Sequence, residues 1–177
     1  MSRRSENRPD EPEQFRLGSA TPLPLLVYRG ALTHAKARSE EGCKALFARH
    51  HWTGAWVDGV FAYHHFHAGT HEVLGFVRGK AEVRFDGEDG PVVTVEAGDV
   101  VVIPAGMRHK RESSTGDLSV VGAYPGDHGE GFDPDMKRDS PARHRAQIDA
   151  VAPPLADPVH GADGPLLRLW ADGAKRR

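Results

Sequence analysis

Four residues with metal-binding side chains lie in two short stretches of the sequence. The first stretch contains His65, His67 and Glu72, and the second, later in the chain, contains His109. Imidazole nitrogens combined with a carboxylate oxygen suit a divalent first-row transition metal. We therefore predict that these four side chains bind one such ion. Iron, manganese, nickel and zinc are all compatible with this set of ligands.

The local sequence predicts that the first three candidates lie side by side. Residues 63–67 are bounded by β-forming residues and are predicted to form a strand. Side chains two apart on a strand share a face, so His65 and His67 point the same way, about 7 Å apart. Residues 68–70 can turn the chain back, and Glu72 then begins the next strand beside the two histidines.

The second stretch is predicted to bring His109 to the same interior. Gly98 and Asp99 form a turn before the short apolar strand Val100–Ile103. A second turn at residues 104–106, Pro-Ala-Gly, reverses the chain, so that His109 faces the first three candidates.

The two stretches resemble the two sequence motifs of the cupin superfamily. In one-letter form they read G-x5-HFH-x4-E-x6-G, beginning at Gly59, and G-x5-PAG-x2-H, beginning at Gly98. The second motif of the family often ends in an asparagine, and Ser113 stands at that place here. That position is not a metal ligand in the family, so the departure leaves the predicted metal site unchanged.

A narrower resemblance, to the small YjlB-like bacterial cupins, covers roughly residues 15–170. It is carried by Trp52 and by residues 63–67, 70–75 and 163–170. The resemblance implies an all-β protein with the cupin double-stranded β-helix, a jelly-roll barrel, and a few peripheral helices. It implies no particular reaction, because cupins include dioxygenases, isomerases, epimerases, decarboxylases and non-enzymatic binders.

Length, charge and cysteine content limit the classes of function. The chain has 177 residues, which suits a single domain, and its net charge of −2 gives no sign of a nucleic-acid partner. No apolar stretch is long enough to span a bilayer, and no apolar run follows Arg3 and Arg4 as a secretion signal would require. The single cysteine, Cys43, excludes an internal disulfide and suits a reducing compartment. We expect a cytoplasmic protein without membrane or nucleic-acid partners.

The chain is predicted to have four parts around one core. They are a disordered tail (1–14), N-terminal strands and a helix packing on the barrel (15–57), the barrel core (58–124), and a C-terminal loop, short helix and wrapping tail (125–177). The first helix is predicted over residues 35–50, with Cys43 and Phe47 in its buried stripe and Trp52 and Trp56 packing it onto the barrel. The second is predicted to begin after Ser140. The apolar residues of the C-terminal segment are expected to dock; these are Leu166, Leu167, Leu169 and Trp170.

Strand alternation also predicts a pocket for a small-molecule substrate beside the metal. Its expected lining residues are Tyr63, Phe76, Arg111 and Tyr124. Arg111 could bind a substrate carboxylate with two hydrogen bonds, or form a structural ion pair at the rim. His71, next to Glu72, could support the ligands from behind or act as a general acid or base, or it could lie exposed in a loop.

A homodimer is predicted from the opposite face of the same strand. Val73, Gly75 and Val77 are apolar and point away from the metal, where a monomer would expose them. Cupin relatives commonly pair their barrels through such a face.

Two functions remain open at this point. One is a metal-dependent enzyme acting on a small oxygen-bearing molecule, of dioxygenase type with non-haem iron or of isomerase type. The other is a non-catalytic small-molecule-binding or metal-binding protein. The enzyme predicts an open metal position in a pocket that admits a substrate, whereas the binder predicts a filled coordination sphere or a closed barrel mouth.

Overall fold

Antiparallel strands are the main regular secondary structure of the protein, as the sequence predicted. The computed structural model describes residues 10–18 and 20–176. The strands are β1 (Glu13–Phe15), β2 (Leu25–Tyr28), β3 (Trp52–Asp58), β4 (Phe66–His67), β5 (Glu72–Arg78), β6 (Lys80–Phe85), β7 (Val92–Glu96), β8 (Val100–Ile103), β9 (His109–Ser114), β10 (Ser119–Pro125) and β11 (Met136–Lys137). The helices are α1 (Glu40–Arg49), α2 (Arg145–Asp149) and α3 (Pro165–Ala174), with a 3-10 turn (Pro141–His144) before α2.

The strands form two sheets that enclose an apolar core. The larger sheet has the order β1-β2-β8-β5-β10-β3, and the smaller has the order β7-β6-β9. A separate pair, β4 and β11, continues the smaller sheet, because His65 and His109 exchange two backbone hydrogen bonds at 3.0 and 3.2 Å. This arrangement is the predicted all-β jelly roll.

Alternation along β5 gives each face of the larger sheet its own core. Leu74 and Phe76 lie between the sheets, whereas Val73 and Val77 belong to a second apolar cluster on the outer face. Strand β6 alternates strictly, with every second side chain buried. Successive side chains of a strand point to opposite faces, and both faces of this sheet are covered, so the side chains of β5 belong alternately to the two clusters.

Helix α1 begins later than predicted, at Glu40 rather than near residue 35. The preceding residues form a turn held by His34, whose carbonyl oxygen accepts from Arg38 N–H and whose Nδ1 accepts from Ala37 N–H. Such local hydrogen bonds compete with a helix. Ser39 then caps the helix by accepting from Gly42 N–H at 3.0 Å.

The outer face of the larger sheet is covered by the chain's own helices. Cys43 and Phe47 of α1 pack on it, and Leu166, Leu169 and Trp170 of α3 dock beside them, which confirms the predicted docking of the C-terminal segment.

The apolar face from which a homodimer was predicted is therefore buried within one chain. Val73 is 0% and Val77 is 7% exposed. The homodimer stays a prediction, but this face does not support it.

Two strands were missed, and a third is shorter than predicted. Strand β3 occupies residues assigned to helix packing, and Trp56 on it points between the sheets rather than towards α1. Strand β11 lies in a segment predicted to be a loop. The strand predicted at residues 63–67 is reduced to Phe66–His67. Strand β1 begins at Glu13, inside the predicted disordered tail, and residues 1–9 of that tail lie outside the described part of the chain.

Across residues 10–18 and 20–176, none of the helices has the length and apolar character required to span a membrane.

Candidate metal centre

The four predicted ligands line one cavity between the sheets. Its volume is about 270 Å³. Strand β4 and the bridge before it supply His65 and His67, β5 supplies Glu72, and β9 supplies His109. All four side chains are buried. The juxtaposition that the sequence spacing predicted is therefore present.

Glu72 lies at the centre of the cluster. Its Oε2 is 3.3 Å from Nε2 of His67, and its Oε1 is 3.3 Å from Nε2 of His109. Burial alone would raise the pKa of the carboxyl group, but the hydrogen bonds and positive charge of His109 and His67 outweigh it and hold that pKa well below its usual range. Glu72 is accordingly a carboxylate at neutral pH.

The hydrogen bonds on the far side of two rings fit a role as metal ligands. Nδ1 of His109 lies 3.2 Å from the carbonyl oxygen of Met107, and Nδ1 of His65 lies 3.0 Å from that of Tyr63. A carbonyl oxygen only accepts, so the Nδ1 atom that faces it carries a proton in each ring, which leaves Nε2 as the atom available to a metal ion. This pattern orients metal-binding histidines in known sites. Nε2 of His109 then faces a carboxylate oxygen, an arrangement that needs a proton or a cation between the two acceptors.

His65 is suited to the neutral form that a ligand requires. Burial, followed by the nearby His109, lowers the pKa of His65 to about 3. Nδ1 of His67, by contrast, has no hydrogen-bond partner although its side chain is buried.

The side chains are close together but are not arranged as a finished metal site. Among the described residues, no three His, Cys, Asp or Glu side chains are positioned so that they could already hold an ion. The contacts of Glu72 account for this, because its two oxygens are engaged by imidazole nitrogens that would themselves be ligands. The donor set fits a divalent transition metal, and binding would exchange these contacts for the ion.

The turn at residues 104–106 fixes the positions of two histidines. Gly106 adopts a φ of +86°, which favours glycine, and its N–H donates to the carbonyl oxygen of His67 at 2.8 Å. The Ala105 N–H donates to Nδ1 of His71 at 2.9 Å. His71 is buried rather than exposed in a loop, and burial lowers its pKa to about 4. It therefore supports the turn behind the cluster and does not line the cavity.

Comparison with known proteins agrees with this geometry. The family described as "Cupin domain" matches residues 56–121. The protein called "Uncharacterized protein YjlB" from Bacillus subtilis (strain 168) is 41% identical over 162 residues, which cover 90% of this chain and 93% of that protein. The chain belongs to the cupin family. The resemblance to YjlB-like cupins is thereby confirmed.

Some solved structures that are similar to this cupin are enzymes, and in each case the similarity covers only part of the two chains. A 3,4-ketoisomerase from Helicobacter canadensis is 14% identical, with a TM-score of 0.37, over 53% of this chain and 66% of that one. Acireductone dioxygenase from Bacillus anthracis, with a cadmium ion in its active centre, is 21% identical, with a TM-score of 0.35, over 45% of this chain and 55% of that one.

Of the four residues predicted to line the pocket of this cupin, Tyr124 alone does so. Phe76 is buried deeper in the core, and Tyr63 stacks on Phe61 with ring centroids 5.0 Å apart. Arg111 donates to the carbonyl oxygen of Val60 at 3.0 Å instead of reaching into the cavity. The prediction assumed a continuous strand over residues 63–67 and a regular β9. The bends before β4 and the register shift between β6 and β9 redirect these side chains.

Several lining residues of this cupin were not predicted. Strand β3 contributes Trp56 and Asp58, and the segment after β10 contributes Asp133 and Met136. Strand β3 carried only a weak local signal, because Gly54 interrupts its β-forming residues. The segment after β10 reaches the cavity because β11 pairs with β4, where Met136 lies opposite His67. No local sequence pattern predicts that pairing.

The segment after β10, residues 126–138, forms a strap along the cavity. Phe132 stacks on His128 with ring centroids 3.6 Å apart and contacts Tyr124 at 5.3 Å. The guanidinium of Arg138 lies 3.8 Å from the centre of the Tyr63 ring. Pairing of β11 with β4 fixes the strap beside His67.

Proposed function

We propose that this cupin binds one divalent transition metal through His65, His67, Glu72 and His109. The cavity then admits a small oxygen-bearing molecule, which undergoes a reaction of dioxygenase or isomerase type. The observation that carries the proposal is the Glu72 carboxylate, buried in a cavity between two imidazole nitrogens at 3.3 Å. Iron, manganese, nickel and zinc all suit this donor set.

The metal, when bound, would polarise and orient an oxygen atom of the substrate. The protein supplies the surroundings. Tyr124 accepts a hydrogen bond from Nε1 of Trp56 at 2.7 Å, which fixes its hydroxyl at the cavity wall. Burial, followed by the charge of Glu72, raises the pKa of Tyr124 above its usual range, so the hydroxyl stays protonated and acts as a hydrogen-bond donor.

The cavity supports the enzyme over the non-catalytic binder. The binder predicts a filled coordination sphere or a closed mouth, whereas a space of about 270 Å³ adjoins all four candidate ligands. That volume is near the lower limit for small-molecule sites, so the substrate would be small. Leu118 and Val120, which could have closed the mouth, pack in the core and do not line the cavity.

Elemental analysis of purified protein tests the metal. We expect about one equivalent of a transition metal in the wild type and a large loss in His67→Ala, because three remaining ligands bind more weakly. His34→Ala is the matched control, since His34 is exposed and outside the cavity. Full metal content in His67→Ala, or an equal loss in His34→Ala, would reject the assignment.

We also propose a cytoplasmic location and a homodimer. Cys43 is buried, and burial raises its pKa to about 12, so it is an unreactive thiol that suits a reducing compartment. Light scattering tests the dimer, which must use a surface other than the outer face of β5. A monomer mass at micromolar concentration would reject it.

A further inference from the structure

The charged side chains that line the cavity all have the same sign. They are Asp58 from β3, Glu72 from β5 and Asp133 from the strap. Among the described residues, no lysine or arginine lines the cavity. Three carboxylates outweigh the two charges of a divalent cation, so the lining stays negative even with such an ion bound.

Two arginines close to lining residues in sequence, Arg111 and Arg138, are engaged elsewhere. Arg111 donates to the carbonyl oxygen of Val60 and to the Ser114 hydroxyl. Arg138 lies over the ring of Tyr63. A substrate carboxylate or phosphate would therefore meet no positive side chain in the cavity, contrary to the role predicted for Arg111.

The two carboxylates at the mouth are exposed, and their hydrogen bonds are local. Asp58 accepts from Gly59 N–H at 2.7 Å, and Asp133 accepts from Asp135 N–H at 3.0 Å. Each of these bonds uses one oxygen, which leaves the other oxygen of each carboxylate for a ligand.

Aromatic rings line the same cavity. Trp56 and Phe61 contribute to its wall, and Phe61 is 45% exposed. The faces of such rings attract organic cations. Carboxylates and aromatic rings together therefore favour an ammonium group.

An independent feature marks the cavity as a ligand site. His67 is 7% exposed and lines the cavity, and its Nδ1 has no hydrogen-bond partner. A buried polar atom without a partner is unfavourable unless a bound molecule or ion satisfies it.

We propose that the cavity selects a small organic ammonium compound that carries a hydroxyl or carbonyl oxygen, and that it excludes carboxylates and phosphates. The oxygen would face the histidine cluster, and the ammonium group would lie at the mouth between Asp58 and Asp133. The role as substrate rests on the proposed function, whereas the charge preference is a property of the cavity alone.

Binding of three small probes to the purified protein tests the charge preference. The probes are choline, its neutral isostere 3,3-dimethylbutan-1-ol, in which carbon replaces the charged nitrogen, and the hydroxy acid lactate. By calorimetry we expect choline to bind roughly tenfold more tightly than the isostere, since two exposed ion pairs and a cation–π contact contribute. Lactate should bind most weakly. Added salt should reduce the preference for choline.

Removing the two mouth charges should remove the preference. We expect the double variant Asp58→Asn/Asp133→Asn to bind choline and the isostere equally. The matched control is Asp135→Asn, on the same strap, whose carboxylate pairs with Lys137 and does not line the cavity. It should keep the wild-type preference. Thermal melting of each variant checks that it is folded.

The metal content of the same samples separates this inference from the proposed function. Protein without metal that still prefers choline would support the inference and reject the metal centre. Metal-loaded protein that binds the isostere or lactate as tightly as choline, or that does not bind choline, would overturn the inference and leave the metal centre standing. A preference that persists in the double variant would also overturn it.

Discussion

His71 shows how a histidine adjacent to a candidate ligand can serve the structure. Its ring contacts Trp170 of α3, with centroids 4.5 Å apart, and its Nδ1 accepts from Ala105 N–H. The ring is thus held neutral between the C-terminal helix and the turn that positions His67. Its burial has a consequence for stability at acidic pH.

We predict that the protein loses stability as the pH falls below about 6.5, the ordinary pKa of a histidine side chain. The pKa of His71 is about 4 in the folded protein and near 6.5 when unfolded, so between these values the unfolded chain binds more protons. The stabilisation from neutral His71 is complete above pH 6.5 and declines by about 3 kcal/mol towards pH 4. Urea denaturation at several pH values across this range measures the decline in the free energy of unfolding.

The variant His71→Asn isolates this contribution. Asparagine retains an acceptor for Ala105 N–H but does not titrate, so the slope of stability against pH should become shallower. His65, whose pKa is also lowered, accounts for part of the slope that remains. His34→Asn, at an exposed site, should keep the full slope. An unchanged slope in His71→Asn would contradict the prediction.

The Tyr124 hydroxyl provides a second prediction at the scale of single residues. Tyr124→Phe keeps the ring against His67 but leaves Nε1 of Trp56 without its acceptor. We expect the free energy of unfolding to fall by about 1 kcal/mol. Tyr63→Phe is the control, because the ring contacts of Tyr63, with Phe61, His65 and Arg138, do not depend on its hydroxyl. Equal effects of the two substitutions in urea denaturation would refute the assignment.

Close packing between β5 and α1 depends on Gly75. A Cβ atom there would lie 2.4 Å from Sγ of Cys43 and 3.0 Å from the Phe47 ring. We expect Gly75→Ala to cost about 1–3 kcal/mol of stability, because the helix must move away from the sheet. Gly116→Ala, where no atom lies within 4 Å of the added Cβ, should have little effect. Chemical denaturation of both variants measures the difference.

A second substitution shows whether overpacking is the cause. Cys43→Ala removes the nearest atom, so the double variant Gly75→Ala/Cys43→Ala should lose less stability than the two single changes predict. Strict additivity would mean that the cost of Gly75→Ala arises elsewhere.

The elements that sequence predicted well are those with local patterns. Strand β8 has the predicted bounds and β5 begins at the predicted Glu72, because unbroken β-formers define both strands. The four candidate ligands come together because their spacing follows these strands and the turns between them. A period of two residues is enough to assign their faces.

The elements that were missed depend on contacts distant in sequence. Strand β3 contains Gly54 at a φ of +66°, and its pairing with β10 shifts register near Gly122, so its pattern is interrupted. Strand β11 has two residues and exists only through its pairing with β4. The sequence therefore predicted only one side of the cavity. The candidate ligands could be placed from local spacing, whereas Asp58 and Asp133 reach the cavity through strand pairing between distant parts of the chain.

At the scale of the whole molecule, the C-terminal segment joins the N-terminal strands to the site. Asp157 is fully buried and accepts hydrogen bonds from the Tyr28 hydroxyl at 2.5 Å and from three backbone N–H groups. Trp170 donates to the carbonyl oxygen of Pro24 at 3.0 Å and contacts His71. One segment thus fixes β2, covers the outer face of β5 and supports the turn beside the candidate ligands.

The last prediction removes that cover. Trp170→Ala deletes a large buried side chain and its hydrogen bond, so we expect a loss of about 3–5 kcal/mol in the free energy of unfolding. Weaker docking of α3 would also expose Val73 and Val77, and an exposed apolar face promotes self-association. Urea denaturation measures the first effect, and light scattering measures the second as a mass above that of the wild type. Leu155→Ala is the control, because Leu155 is 77% exposed, and it should change neither quantity. A Trp170→Ala protein with wild-type stability and mass would show that α3 does not hold this face closed.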